Sequence, residues 1–170
     1  MNSKTIKRLI ALRQFKSPQV KNMIEIETKL SITMPGNILG IHFYLSIFED
    51  LIRKDPDKSI NISMDALDLF GMAEAMKELS GKNVSSVEFR HYSGGGSKGK
   101  WIDLVKKGDI YYINFATEQK RRISLPLDRW RFLGMAKALL MFVNSGNAYY
   151  DDAIKDNEKI KATKKKRGEE

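Results

Sequence analysis

Ile60 to Met76 (INISMDALDLFGMAEAM) and Ile123 to Leu139 (ISLPLDRWRFLGMAKAL) align at an offset of 63 residues, with six of seventeen positions identical. The identities are Ile60/Ile123, Asp65/Asp128, Gly71/Gly134, Met72/Met135, Ala73/Ala136 and Ala75/Ala138, and most other positions exchange one apolar residue for another. In both stretches the apolar spacing changes from period two to a helical period at the aspartate. Ile123, Leu125 and Leu127 alternate as a half-buried strand does, and Asp128 suits the N-cap of a helix running through Trp130, Leu133, Met135 and Leu140. Asp65 has the same place in the first stretch. A strand, a cap and a helix in one register point to an internal duplication.

Working outward, the second copy contains four strand signals before its helix: Val84 to Ser93, Lys100 to Lys107, Ile110 to Thr117 and Arg121 to Leu127. The glycine-rich stretch at 94 to 99 reads as a flexible hairpin loop and Lys107-Gly108-Asp109 as a tight turn, so neighbours pair antiparallel. The first copy reads as strands at Met23 to Thr33, Ile38 to Phe48 and Ser59 to Met64, with turns at 35 to 37 and 55 to 57. Glu49 to Lys54 is left open as a further strand.

The expected fold class is α+β: two tandem antiparallel sheet-plus-helix (ββββα) repeats, with a basic N-terminal segment and a disordered C-terminal tail. Residues 1 to 21 form the basic segment, read as helical from Lys4 to Arg13. Residues 22 to 150 form a single domain of two repeats, 22 to 83 and 84 to 150, and residues 151 to 170 are the charged tail.

Charge is distributed unevenly over the 170 residues, whose formal net charge is +9. Residues 1 to 21 carry six basic and no acidic side chains; 22 to 83 carry six basic against ten acidic; 84 to 150 carry eleven against five. Such a balance makes a polyanion the first partner to consider. The absence of cysteine excludes thiolate nucleophiles, iron–sulfur clusters and Cys-based zinc sites. No apolar run reaches the roughly 18 residues of a membrane span. An intracellular protein is expected, cytoplasmic, nucleoid-associated or nuclear, with no membrane partner. His42 and His91 are the only histidines, and both lie in strand contexts. Gly94 to Lys100 lacks the spacing and the following Ser or Thr of a P-loop. No enzyme and no cofactor are expected.

Alternation in the second copy points Ile102, Leu104, Tyr111, Ile113 and Phe115 at the helix-covered core. The opposite face then displays Arg90, Tyr92, Trp101, Lys107, Tyr112 and Arg122, bordered by Lys98 and Lys100 from the glycine loop and by Lys120 and Arg121 from the last hairpin. Cations among flat rings are what a single strand requires, because phosphates seek Lys and Arg while unpaired bases stack on aromatics. The corresponding face of the first copy offers Glu25, Glu27, Lys29 and Ser31, which repel phosphate, so the main site is placed on the second copy.

The runs Phe89-Arg90-His91-Tyr92, Gly99-Lys100-Trp101-Ile102-Asp103-Leu104 and Arg121-Arg122-Ile123-Ser124-Leu125, followed by Trp130 and Leu133, resemble the positive-cofactor-four family of transcriptional coactivators. The resemblance spans about 50 residues, Val84 to Leu133, and implies a four-stranded sheet with a helix that binds single-stranded DNA as a dimer. It implies DNA contacts at Arg90, Tyr92, Lys100, Arg121 and Arg122, and a helix-packing role for Trp130. Two such units in one chain are similar to the Whirly fold, an arrangement shared with kinetoplastid guide-RNA-binding proteins, whose chains often assemble further. The resulting expectation is largely sequence-independent single-stranded DNA binding in transcription, replication or recombination, as a homo-oligomer. Its alternatives are RNA as the ligand, or a basic module docking on RNA polymerase, the replication machinery or another acidic partner.

Overall fold

The computed structural model describes residues 5–33, 38–50, 55–81, 86–93 and 99–167. They form eight strands and two α-helices: β1 (Thr5–Lys16), β2 (Met23–Thr33), β3 (Ile38–Phe48), β4 (Ser59–Met64), α1 (Ala66–Gly81), β5 (Ser86–Ser93), β6 (Lys100–Lys107), β7 (Ile110–Thr117), β8 (Arg122–Leu127) and α2 (Arg129–Arg167). A 3-10 turn at Pro56–Lys58 precedes β4. Two four-stranded antiparallel sheets result, ordered β1-β2-β3-β4 and β5-β6-β7-β8. This is the expected α+β class, with a helix after each sheet, and β2, β3, β4, β6 and β7 have the bounds read from sequence. The paired stretches occupy equivalent places, β4 with α1 and β8 with α2.

The inner faces of both sheets and the buried sides of both helices build one hydrophobic cluster. Ile24, Ile26, Phe43, Leu45, Ile47, Ile60 and Ile62 of the first sheet and Ile102, Leu104, Ile113, Phe115 and Leu125 of the second join Leu69, Met72 and Met76 of α1 and Phe132, Met135 and Leu139 of α2 in that one cluster. Each helix bridges the two sheets: α1 packs on α2, on β3 and on β5 and β6, while α2 reaches β1, β2 and β3 as well as β7 and β8. The two sheets therefore share a core.

Both helices start as their caps require. Asp65 Oδ1 accepts from the Asp68 N–H at 2.8 Å, and Asp128 Oδ1 from the Arg131 N–H at 2.9 Å. That backbone donor, aided by the Arg131 guanidinium on Oδ2, outweighs partial burial and holds the Asp128 carboxyl below its ordinary pKa. At the β6–β7 hairpin Gly108 takes φ 58°, as the first residue of a two-residue turn with glycine there must.

Three expectations are corrected. The basic N-terminal segment is not helical and does not stand outside the domain, because residues 5–16 are the edge strand β1, paired along its length with β2. A bulge between Leu9 and Ala11 adds one residue and reverses the alternation, so Ile6, Leu9, Ile10 and Arg13 fall at helical spacings although the backbone is extended. The tail is not disordered through to its end, since α2 continues to Arg167. Its first half is anchored in the core; extending an existing helix is far cheaper than nucleating one, and Lys155–Asp152 (4.0 Å) and Lys159–Asp156 (3.4 Å) pairs line the extension. Trp130, implied to pack the helix, is 78% exposed, as is its counterpart Leu67 at 81%; both sit in the first turn, on the side away from the sheets. The glycine loop at 94–98 and most of Glu49 to Lys54 lie outside the described residues.

Candidate nucleic-acid interface

On the second sheet the alternation holds. Ile102, Leu104, Ile113, Phe115, Ile123 and Leu125 are buried inward, which leaves Trp101, Asp103, Val105, Lys107, Tyr112, Asn114, Arg122 and Ser124 on the outer face. Across its centre runs a polar chain: Ser124 Oγ donates to Asn114 Oδ1 (2.6 Å), Asn114 Nδ2 donates to Asp103 Oδ1 (2.6 Å), and Arg122 Nη2 pairs with Asp103 at 3.1 Å. Asn114 is only 4% exposed, so this chain satisfies an amide that would otherwise be costly to cover. Beside it lies a groove of about 300 Å³ lined by Val105, Lys107, Tyr112, Asn114, Arg122 and Ser124. Lys107 Nζ stands 5.8 Å from the Tyr112 ring centroid. The face thus offers a ring with a cation over it, a half-exposed guanidinium held by one carboxylate, and a shallow trough between them.

The residues singled out in the sequence divide between this face and a second place. Lys107, Tyr112, Arg122 and Trp101 lie on the outer face. Arg90 and Tyr92 are on β5, in register with Asp103 and Trp101. Lys98 lies outside the described residues. Lys100 and Arg121 do not border the outer face. They share parity with the inward residues Ile102 and Ile123, and so reach across to the first sheet. Lys100 Nζ donates to the Asn61 carbonyl at 3.1 Å, and Arg121 Nη1 to the Ser59 carbonyl at 3.3 Å, with Glu49 3.7 Å from Arg121 Nη2. His91 completes the series, its Nε2 2.9 Å from the Ser63 carbonyl and its Nδ1 3.2 Å from Asp68. Ser59, Asn61 and Ser63 are alternate residues of β4, the edge strand of its sheet. Three side chains of the second sheet, from β5, from β6 and from the residue just before β8, therefore cap the open carbonyls of the first, as an exposed edge demands. The free edge of β8 is covered reciprocally: Ser17 Oγ donates to the Pro126 carbonyl (2.7 Å) and Asn22 Nδ2 to the Ser124 carbonyl (2.8 Å).

Asp103, Asn114 and Ser124 form the middle of the face, where strand parity also places them, but the hydrogen bonds that join them carry no sequence signal. Trp130 could have been recognised as exposed from its helical position alone, because it is one place out of phase with the buried Phe132, Met135 and Leu139. Among the described residues no cluster of three or more His, Asp or Glu could hold a metal ion, and no helix is long and apolar enough to cross a membrane.

No protein-family model matches the chain, and no curated protein matches it. Among solved structures it is similar to that of the plant transcriptional regulator PBF-2, with a TM-score of 0.54 and 12% sequence identity over 88% of each chain. At that identity the likeness is one of fold.

Proposed function

We propose that this protein binds single-stranded nucleic acid, DNA first, with little sequence preference, on the outer face of β5 to β8, and that it serves transcription, replication or recombination. The observation that carries this reading is Lys107 poised over Tyr112 at the rim of a trough shared with Arg122. A base arriving on the ring displaces the ammonium onto the neighbouring phosphate. An exposed cation–π contact is worth about 0.5–1 kcal/mol, whereas stacking a base contributes about 1–3 kcal/mol, so the exchange favours the bound strand before the phosphate contact is counted. A duplex hides the base faces and cannot make it. Trp101 and Tyr112 are the stacking residues, Lys107 and Arg122 the phosphate contacts, with Arg90 and Tyr92 adding to them from β5 and Lys98 from the hairpin. Lys100 and Arg121 serve the seam between sheets. The net charge of +9 and the fold shared with a plant transcriptional regulator support the same reading.

The test is a fluorescence and anisotropy titration at two salt concentrations, using a single-stranded oligonucleotide, its duplex and the RNA equivalent. It is done on a Trp130→Phe background so that emission reports Trp101. Tight single-strand binding with quenching is expected. Equal, weak and wholly salt-labile binding to all three would overturn the reading and leave an acidic protein as the partner for these cations.

A further inference from the structure

We infer that the outer face of β1 to β4 is a second single-strand-binding surface, with Tyr44 as its stacking ring and Lys7, Lys16 and Lys29 as its phosphate contacts; the inference rests on the proposed function and extends it to the other sheet. The argument begins with register. Met64 ends β4 opposite Phe43, and Leu127 ends β8 opposite Tyr111, so the two sheets superpose at these pairs. One residue on, Tyr44 faces Ser63 and Tyr112 faces Pro126. On the other side Tyr44 faces Glu27 and Tyr112 faces Val105. Two residues further along β2 and β6 stand Lys29 and Lys107, the first 5.1 Å from the Tyr44 centroid and the second 5.8 Å from that of Tyr112. The lysine–tyrosine pair thus recurs at the same position of both sheets. The central acid recurs too: Glu25 and Asp103 are equivalent in register, and each accepts from a cross-strand amide, Gln14 at 2.9 Å and Asn114 at 2.6 Å.

The first face carries more cation around its ring than the second. Lys7, supplied by β1, donates to the Tyr44 hydroxyl at 2.6 Å and stands 4.9 Å from the ring centroid. The two acids there are engaged: Glu27 pairs with Lys29 at 2.5 Å, and Glu25, 7% exposed, is covered beside Gln14. With Lys7 and Lys16, both exposed, the three lysines of this face outnumber its two acids by one charge. His42 lies 6.5 Å from Tyr44, and half-exposed Leu9 and Leu12 stand on the same face of β1 opposite Lys29 and Glu27, so the face around the ring is partly apolar, as a base requires. The charge complements a phosphate backbone, and the ring needs an unpaired base; both requirements are met by a single strand.

The test counts ligands per chain. Titrating the full-length protein calorimetrically with an oligothymidine of about eight nucleotides, within the roughly 4–16 a compact module occupies, is expected to give two bound per chain. Tyr44→Ala, and separately the charge reversal Lys7→Glu with Lys29→Glu, should each reduce this to one. Tyr112→Ala with Lys107→Glu should also leave one. Circular dichroism and thermal unfolding check that each variant is folded, and the charge reversal alters only surface side chains. One oligonucleotide per chain in the wild type, unchanged by the sheet-one variants and abolished by those on sheet two, would overturn the second surface while keeping the proposed function. No binding by the folded wild type would overturn both.

Discussion

Lys107 and Tyr112 are individually unremarkable residues whose value comes from their contact. Lys107→Ala should weaken binding about equally for all sequences and lower the salt slope by about 1, because one counterion-releasing phosphate contact is lost. Tyr112→Ala should cost about 1–3 kcal/mol of affinity with little change in that slope, and anisotropy titrations across salt concentration separate the two. Asp103 has the opposite sign. It lies at the centre of the face and holds Arg122 at 3.1 Å, so Asp103→Asn should raise single-strand affinity by up to roughly 1 kcal/mol, the scale of an exposed ion pair. A loss of affinity in the same titration would mean that orienting Arg122 matters more than removing the negative charge.

At the scale of elements, α2 is governed by its cap and by one close approach. Asp128→Ala should destabilise the protein by about 1 kcal/mol, the usual worth of an N-cap, measured by urea unfolding. Because the folded carboxyl titrates below its ordinary value, its stabilisation is complete above the unfolded carboxylate range and disappears as pH falls through the lower folded value. Wild type and variant should therefore converge in acid and differ most near neutrality. Gly146 illustrates the other constraint. A Cβ there would stand 3.1 Å from Phe43 Cζ and 3.6 Å from Thr28 Cγ2, so the helix backbone rests directly on β2 and β3. Gly146→Ala should destabilise by about 1–3 kcal/mol through overpacking, although alanine is the better helix former by about 1 kcal/mol. Gly134, identical to Gly71 in the aligned stretches, has open space around its Cβ position. Identity between the aligned stretches thus does not mark the close approach, whereas an unmatched glycine does.

For the whole molecule, the decisive feature is the seam where one sheet closes the edge of the other. Lys100→Ala and Arg121→Ala each remove a charged donor from a β4 carbonyl, and each should lower the unfolding free energy by roughly 1 kcal/mol while leaving the salt slope of binding near that of wild type. The converse result, unchanged stability with a reduced slope, would return both residues to the nucleic-acid contacts that the family resemblance implies. Much of this molecule was legible beforehand. Period-two alternation located β2, β3, β4, β6 and β7, and the aspartate before each helical pattern marked both helix starts, because burial on one face imposes that spacing locally. β1 was missed because its bulge breaks the alternation. The outer-face residues Lys107, Tyr112 and Arg122 were found by parity. Lys100 and Arg121, read as bordering the outer face, reach β4 in the structure, because at or just before a strand's start a long side chain can turn to either side and only the neighbouring edge decides which.

The sequence by itself therefore determined the strands other than β1, the caps, the charge and the rings available, since these depend on spacing along one chain. Only the tertiary structure decided which cations stand over which rings. Lys7 of β1 reaches Tyr44 of β3 across the one strand between them, and Lys29–Tyr44 matches Lys107–Tyr112 in register although the tyrosines lie 68 residues apart and the lysines 78. Loops of unequal length erase that correspondence from any single alignment offset, and hydrogen-bonded register between strands restores it.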